Sequence, residues 1–257
     1  MQTFILVLSR LVPLSFLVSL TLVGSRYLHD LVLRGHPRLA RWAFAGVSLV
    51  GLIAALPYTI RAGLVVGAQY AMLHGRWQAA DLLYTDYDGW NGRRSDEMLR
   101  RWASARMNAG NWAGAEDVLR TADEPSPQAR VLIGLCQYYQ NNPVAEATLR
   151  AVPDMTATQL CLRDYLLGRI AQKRGDLGHA YLLYAHSASW ETNFFPSVYH
   201  GVRLSLVRGD AQRAAAILDG YTRQFPRQSG DRDVLTLRDA IAAHVVPQDK
   251  EFVVVSN

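Results

Sequence analysis

Histidine is the side chain best suited to acid–base chemistry or metal binding near neutral pH, and the sequence contains seven histidines. His179 and His186 are seven residues apart and could share one face of a helix. No third ligand follows them at metal-binding spacing, so we expect no metal site. The full set is His29, His36, His74, His179, His186, His200 and His244.

Signatures of catalysis are absent from the sequence. It has no His-Glu-x-x-His pair, phosphate-binding loop, Gly-x-Ser-x-Gly elbow or dinucleotide fingerprint, the arrangements that position a metal, a nucleophile or a cofactor. We therefore expect no catalytic residue, no cofactor and no small-molecule substrate. An enzyme with its site at a membrane surface is the less favoured alternative.

A small-residue pattern recurs instead: an alanine with glycine or asparagine five residues before it, at spacings of 35, 32, 33 and 34 residues. Small residues let antiparallel helices approach closely, and glycine reverses the chain with positive φ at little cost. Units of this size must stack to bury their apolar faces. The pairs are Gly75/Ala80, Gly110/Ala115, Asn142/Ala147, Gly175/Ala180 and Gly209/Ala214.

Other positions follow the same period. A large residue lies four residues after the alanine, except in the third repeat, where Leu149 follows Ala147 by only two. The first helix of each unit carries one small residue: Gly67, Ala103, Gly134, Gly168 or Gly201. A proline twelve residues after the alanine ends two of the units, at Pro127 and Pro226. Together these positions resemble the tetratricopeptide repeat (TPR) over about residues 62–226, and Leu167-Gly168 matches the Leu-Gly pair of that family. An irregular helical bundle is the alternative.

The resemblance implies an all-α fold, an α-solenoid of about five helix pairs over residues 62–246. It also implies a concave face, lined by the first helix of each pair, that binds partner proteins. Arginine and tyrosine are common in binding hot spots, although solvated surface charges are the alternative explanation. The candidate partner-binding residues are Arg100, Asn108, Tyr165, Arg169, Gln172, Lys173, Tyr199 and Arg203.

The two cysteines, Cys136 and Cys161, occupy different levels of successive first helices in this register. Their axial offset is about nine residues, or roughly 13 Å. A disulfide needs Cα atoms within about 7 Å. We therefore expect two buried thiols.

Residues 1–61 are predicted to form a membrane hairpin with spans at 4–24 and 42–60, since a helix needs roughly 20 apolar residues to cross the hydrocarbon core. No charge lies between Trp42 and Ile60, and Trp42 and Tyr58 suit the headgroup zones. The first span requires Arg10 to lie near an interface. A cleaved signal peptide is the alternative for this span, but no basic residue precedes it.

Charge is distributed unevenly. Six of the 27 basic residues but only one of the 22 acidic residues precede residue 68, so the net charge of +5 arises in the membrane segment. The rest is balanced, which argues against a nucleic-acid partner. The arginine-rich loop 25–41 predicts a cytoplasmic loop, which places the N-terminus and the repeats on the periplasmic side of a bacterial inner membrane. An amphipathic stretch lying on the membrane surface is the other interpretation of this loop, and the two are compatible.

At the junction and the C-terminus we make three predictions. The second span runs without a break into the opening helix of the first repeat, near residues 62–74. A last helix, 231–246, capped by Asp231 and carrying Val234, Leu237, Ile241 and Val245 on one face, covers the final repeat. The tail, 247–257, is a disordered end, or alternatively a strand that adds to a partner's sheet.

The sequence therefore predicts a non-catalytic, membrane-anchored scaffold that binds protein partners, as a subunit or assembly factor of a membrane complex. In the alternative, a structural subunit contacts its partners through its transmembrane helices, because an arginine such as Arg10 within a span often faces a protein neighbour.

Overall fold

The computed structural model describes residue 26 and residues 37–90, 94–153, 156–190 and 192–252. The chain divides into two compact units, Met1–Arg93 and Arg94–Asn257. The predicted first span, Arg10 and most of the loop 25–41 lie outside the described residues. Every regular element in the described ranges is helical, which confirms the all-α fold class.

In the first unit the described residues form the long helix α1 (Pro37–Leu73) and α2 (Trp77–Gly89). Helix α1 continues unbroken past Pro57, so the predicted run from the second apolar stretch into the first repeat is confirmed. Its Ser48–Leu73 part, with a mean hydropathy of 1.8 and few buried side chains, is long and apolar enough to cross a membrane. Among the described residues it is the one candidate span; two spans were predicted.

Helix α2 packs antiparallel against the C-terminal end of α1 through small residues. Ala68, Ala71 and Ala80 are buried between the two helices. A Cβ placed on Gly67 would lie 3.4 Å from Leu83 Cδ1. This is the helix pair predicted for the first repeat.

The second unit contains four further helix pairs in chain order, then a short 3-10 helix and a last helix. The pairs are α3 (Asp96–Asn108) with α4 (Trp112–Arg120), α5 (Pro127–Tyr139) with α6 (Ala145–Arg150), α7 (Ala157–Lys173) with α8 (Leu177–Ala188), and α9 (Phe195–Val207) with α10 (Ala211–Gln224); the 3-10 helix is Pro226–Gly230 and α11 is Arg232–Ala242. Within this unit each helix packs on the next along the chain, as in an α-solenoid.

All five turns within the pairs have the same hydrogen bonds. The residue after the glycine donates its backbone N–H to the carbonyl five residues back, for example Asn111 to Arg106 at 2.8 Å and Asp210 to Ser205 at 2.9 Å. This is the Schellman closure of a helix, which needs a residue with positive φ. The residues that supply it are Gly75, Gly110, Asn141, Gly175 and Gly209.

The predicted register of the third repeat is wrong. Ala80, Ala115, Ala180 and Ala214 are all fully buried, but Ala147 is exposed and Ala145 is buried in its place. The left-handed residue is Asn141 and not Asn142. The buried alanine of α6 comes one residue sooner after its turn than that of α4 does. The Ala145 N–H donates to the carbonyl of Asn142, three residues back, whereas the Ala115 N–H donates to the carbonyl of Asn111, four residues back. When the count starts from Ala145, the buried Leu149 is the large residue four positions after the alanine, as in the other repeats.

Two first-helix glycines are required by close packing. A Cβ on Gly134 would lie 2.5 Å from Leu149 Cδ2, and one on Gly168 would lie 2.7 Å from Tyr184 Cε1. Real Cβ atoms do not approach this closely, so a larger residue would force the two helices of the pair apart.

Helix α11 covers the last pair as predicted, with Val234 and Leu237 buried against α10. Asp231 stands at the N-cap position but makes no side-chain capping bond. The helix ends at Ala242 rather than 246 because His244 adopts a φ of 53° and Val245 N closes the turn on Ala240 O at 2.9 Å. Val245 therefore lies outside the helix and is exposed.

Both cysteines are free and buried, as predicted. Cys136 lies in α5, where burial raises its pKa to about 12. Cys161 Sγ in α7 lies 3.2 Å from Ser187 Oγ. Both thiols pack as small core residues.

Candidate functional site

The C-terminal tail, residues 247–252, crosses the first helices of three successive pairs without forming a helix or a strand. It passes α9, then α7, then α5, and contacts side chains on each. The tail groove is the set of side chains that receive it: Tyr138, Tyr139, Arg169, Gln172, Tyr199 and Arg203. The prediction of a disordered end is therefore wrong for these residues.

Contacts on α9 hold the backbone of the tail. Arg203 Nε donates to the carbonyl of Pro247 at 3.1 Å, and the Tyr199 hydroxyl donates to the carbonyl of Gln248 at 2.9 Å. Backbone carbonyls are present in every peptide, so these two contacts fix position without selecting a sequence.

Contacts on α7 hold a carboxylate. Arg169 donates from one terminal nitrogen to Asp249 Oδ1 at 3.1 Å, and Gln172 Nε2 donates to Asp249 Oδ2 at 2.9 Å. Partial burial would raise the pKa of Asp249, but Arg169 and Gln172 outweigh it and hold that pKa below its usual value. Both carboxylate oxygens are thus satisfied by α7.

Contacts on α5 hold the end of the described tail. The Tyr138 hydroxyl lies 3.1 Å from Glu251 Oε1, and the Tyr139 hydroxyl donates to the carbonyl of Phe252 at 2.9 Å. Lys173 Nζ from α7 lies 4.2 Å from the centre of the Tyr138 ring, a cation–π contact.

The Phe252 ring packs edge-on against three aromatic side chains of α9. Its centre is 5.3 Å from that of Tyr199, 5.9 Å from His200 and 6.3 Å from Phe195. Such T-shaped contacts are favourable beyond the apolar area they bury. The groove therefore combines a carboxylate site with an aromatic site.

Beneath the carboxylate lies a buried polar pair. Arg169 is 5% exposed and His200 is fully buried, and His200 Nε2 lies 3.4 Å from an Arg169 nitrogen. Arginine only donates, so Nε2 accepts and the ring proton resides on Nδ1, which faces Asp249 Oδ1 at 3.6 Å. Burial, with help from Arg169, lowers the pKa of His200 to about 3, so its ring is neutral.

The structure brings together most of the predicted binding residues. Arg169, Gln172, Tyr199 and Arg203 bond the tail directly, and Lys173 stacks on Tyr138 beside it. Tyr165 is buried beneath this surface, packed edge-on against Phe194.

Two predicted binding residues lie elsewhere. Arg100 bonds Asp96 at 2.8 Å and Gln128 at 2.7 Å. Asn108 donates to the carbonyl of Ser104 in its own helix. The Arg100–Gln128 bond ties α3 to α5, the Asn108 bond lies within α3, and neither bond involves the tail.

Four participants were missed from the sequence: Tyr138, Tyr139, His200 and the tail itself. The Tyr138-Tyr139 pair at the end of a first helix was a usable signal, because it holds the position in α5 that Gln172-Lys173 holds in α7. His200 gave no signal, since its role depends on a neighbour 31 residues away. In the described part of the chain, no three His, Cys, Asp or Glu side chains cluster as metal ligands would.

The fold resembles the crystal structure of PilW, a widely conserved type IV pilus biogenesis factor. The TM-score is 0.55, with 16% sequence identity over 84% of this chain and 97% of that chain. No protein-family model matches the sequence, and no curated protein matches it. At this identity the likeness bears on the fold alone, and it supports the TPR-like helical repeat.

Proposed function

We propose that this protein is a non-catalytic, membrane-anchored assembly factor that holds an extended segment of a protein partner in its tail groove. The observation that carries the proposal is the fit of a peptide backbone there. Three backbone carbonyls and the Asp249 carboxylate of the tail, which forms neither helix nor strand, are bonded across three first helices. PilW, which shares the fold, is itself a biogenesis factor.

Helix α1 supports the anchoring part of the proposal. Its Ser48–Leu73 segment exposes large apolar side chains such as Leu52 and Ile53 along its length, and exposed apolar surface of this extent is costly in water. In the proposed arrangement α1 crosses a bacterial inner membrane, residues 25–41, whose last five form the start of α1, are cytoplasmic, and the repeats stand in the periplasm.

The proposal is tested by purifying the full chain from native membranes in mild detergent and identifying the proteins that accompany it. Substituting Arg169→Gln and Arg203→Gln together should reduce recovery of the partner at least tenfold. Arg150→Gln, which removes an exposed arginine paired with Glu146 on α6, is the control and should leave recovery unchanged.

The same experiment distinguishes groove binding from the second candidate function, in which the partner is contacted through the transmembrane helix. Exposed apolar side chains on α1 could themselves contact another membrane protein. If the partner is recovered equally with both groove arginines substituted but is lost when Leu52 and Leu56 are changed to alanine, the transmembrane contact is the correct account and the groove proposal is overturned.

A further inference from the structure

The tail groove selects by side chain at only a few positions. Pro247, Gln248 and Phe252 offer it backbone carbonyls, which any sequence provides. Side-chain recognition comes from the carboxylate of Asp249, bound by Arg169 and Gln172, and from the ring of Phe252, packed against α9. Glu251 adds a contact to the Tyr138 hydroxyl at 3.1 Å.

Side chains of the solenoid form the carboxylate site beneath the tail. Arg169 is nearly enclosed, and its other contacts are the Tyr138 hydroxyl at 3.5 Å and His200 Nε2 at 3.4 Å, both neutral groups. A buried guanidinium requires a negative partner to offset the loss of its hydration. In the structure Asp249 supplies that charge.

The tail fills this site without being embedded in it. Asp249 keeps 41% of its side chain exposed, and Gln248 and Lys250 on either side are exposed. Lys250 faces outward to Asp233 of α11 at 2.6 Å. A short segment whose side chains stay largely exposed can exchange with a competitor of the same chemistry.

We infer that the groove takes extended partner segments in which a carboxylate is followed three residues later by an aromatic ring, and that the chain's own tail is a built-in competitor for them. This inference rests on the proposed function and specifies its ligand. A tethered occupant acts at an effective concentration on the order of millimolar, so a free segment binds the intact chain weakly until the tail leaves.

The test uses a fluorescent peptide with the sequence of residues 245–252 and the full anchored chain in detergent. Fluorescence anisotropy should show binding to a chain that ends at residue 245 at least tenfold tighter than to the intact chain. Peptides carrying Asp249→Asn or Phe252→Ala should bind at least tenfold more weakly than the parent peptide. A Val246→Ala peptide, altered outside the tail, should bind like the parent.

Removing the tail could unfold the repeats, so a second variant keeps the length of the chain. The full chain with Asp249→Asn retains the tail but loses the charge that docks it, and it should also bind the peptide more tightly than the unaltered chain does. Circular dichroism shows whether each variant keeps its helices.

The inference is overturned if the peptide binds neither variant while both remain folded, or if Asp249→Asn and Phe252→Ala peptides bind as well as the parent. Failure here is distinct from failure of the proposed function. If the peptide test fails but Arg169→Gln with Arg203→Gln still reduces recovery of the partner, the groove is a binding site for a ligand of different chemistry.

Discussion

Arg169 and Asp249 are 80 residues apart in the sequence and are joined by a hydrogen-bonded ion pair, with 3.1 Å between an Arg169 terminal nitrogen and Asp249 Oδ1. The arginine belongs to α7 and is buried, whereas the aspartate belongs to the tail and is partly exposed. The pair therefore couples the occupancy of the groove to the solvation of a charge inside the solenoid.

Loss of this pair should release the tail. With Arg169→Gln, we expect trypsin to cleave after Lys250 about fivefold faster, which corresponds to about 1 kcal/mol for a pair partly screened by water. Mass spectrometry of the shortened chain gives the rate. Arg150→Gln is the control, and equal cleavage of all three proteins would show that the pair does not hold the tail.

His200 should make the repeats sensitive to mild acid. Its folded pKa of about 3 lies below its ordinary value of 6.5, so its contribution to stability is complete above pH 6.5 and is lost as the pH falls toward 3. Between pH 6.5 and pH 5 the loss should reach about 2 kcal/mol. The Asp249 carboxylate beside it stays charged in that window because its pKa is itself lowered.

Urea unfolding of the repeats at pH 7 and pH 5, followed by tryptophan fluorescence, measures this effect. His200→Gln should remove the difference between the two pH values. His179→Gln, at an exposed position, should keep it. A wild-type chain equally stable at both pH values would contradict the expected role of the buried ring.

The sequence was informative where interactions are local and repeated. The period of alanine and glycine located the five helix pairs, with the third out of register, because close helix packing constrains residue size at fixed positions. The same register found Arg169, Gln172, Tyr199 and Arg203, which lie on successive first helices. Docking of the tail on these four residues could not be predicted from the sequence. The residues in contact are 44 to 80 positions apart in the chain, and no local pattern encodes such a contact.

The third repeat failed for a different physical reason. Asparagine can adopt the left-handed conformation, so the adjacent Asn141 and Asn142 were both able to replace the turn glycine. Counting from Asn142 kept the five-residue spacing of the other repeats and reached Ala147, whereas the turn uses Asn141 and is one residue shorter.

Enlarging the two alanines separately tests the corrected register. Ala145→Leu inserts a side chain into a closed contact between α5 and α6, and should destabilise the repeats by about 1–3 kcal/mol. Ala147→Leu adds the same group at an exposed position and should change stability by less than about 0.5 kcal/mol. Thermal unfolding of the two variants compares them directly, and a larger loss for Ala147→Leu would restore the original register.

Replacing each of two helical glycines with alanine should change the stability of the repeats in opposite directions. Gly168→Ala places a methyl group 2.7 Å from the buried ring of Tyr184, so we expect a loss of about 1–3 kcal/mol. Gly220 in α10 has open space around it, and alanine there should gain about 0.5–1 kcal/mol from reduced backbone entropy of the unfolded chain. Denaturant midpoints measure both, and equal shifts would mean that the α7–α8 contact is looser than described.

The membrane arrangement can be tested with single cysteines, because both native thiols are buried. Leu56→Cys on α1 and Leu235→Cys on α11 replace leucines of similar exposure, 52% and 44%. If α1 spans the bilayer and the repeats are periplasmic, a membrane-impermeant maleimide should label position 235 in intact spheroplasts and leave position 56 unlabelled until detergent is added. Rapid labelling of position 56 in intact spheroplasts would show that α1 does not span the membrane. Labelling of position 235 only after permeabilisation would place the repeats in the cytoplasm, out of reach of any periplasmic partner.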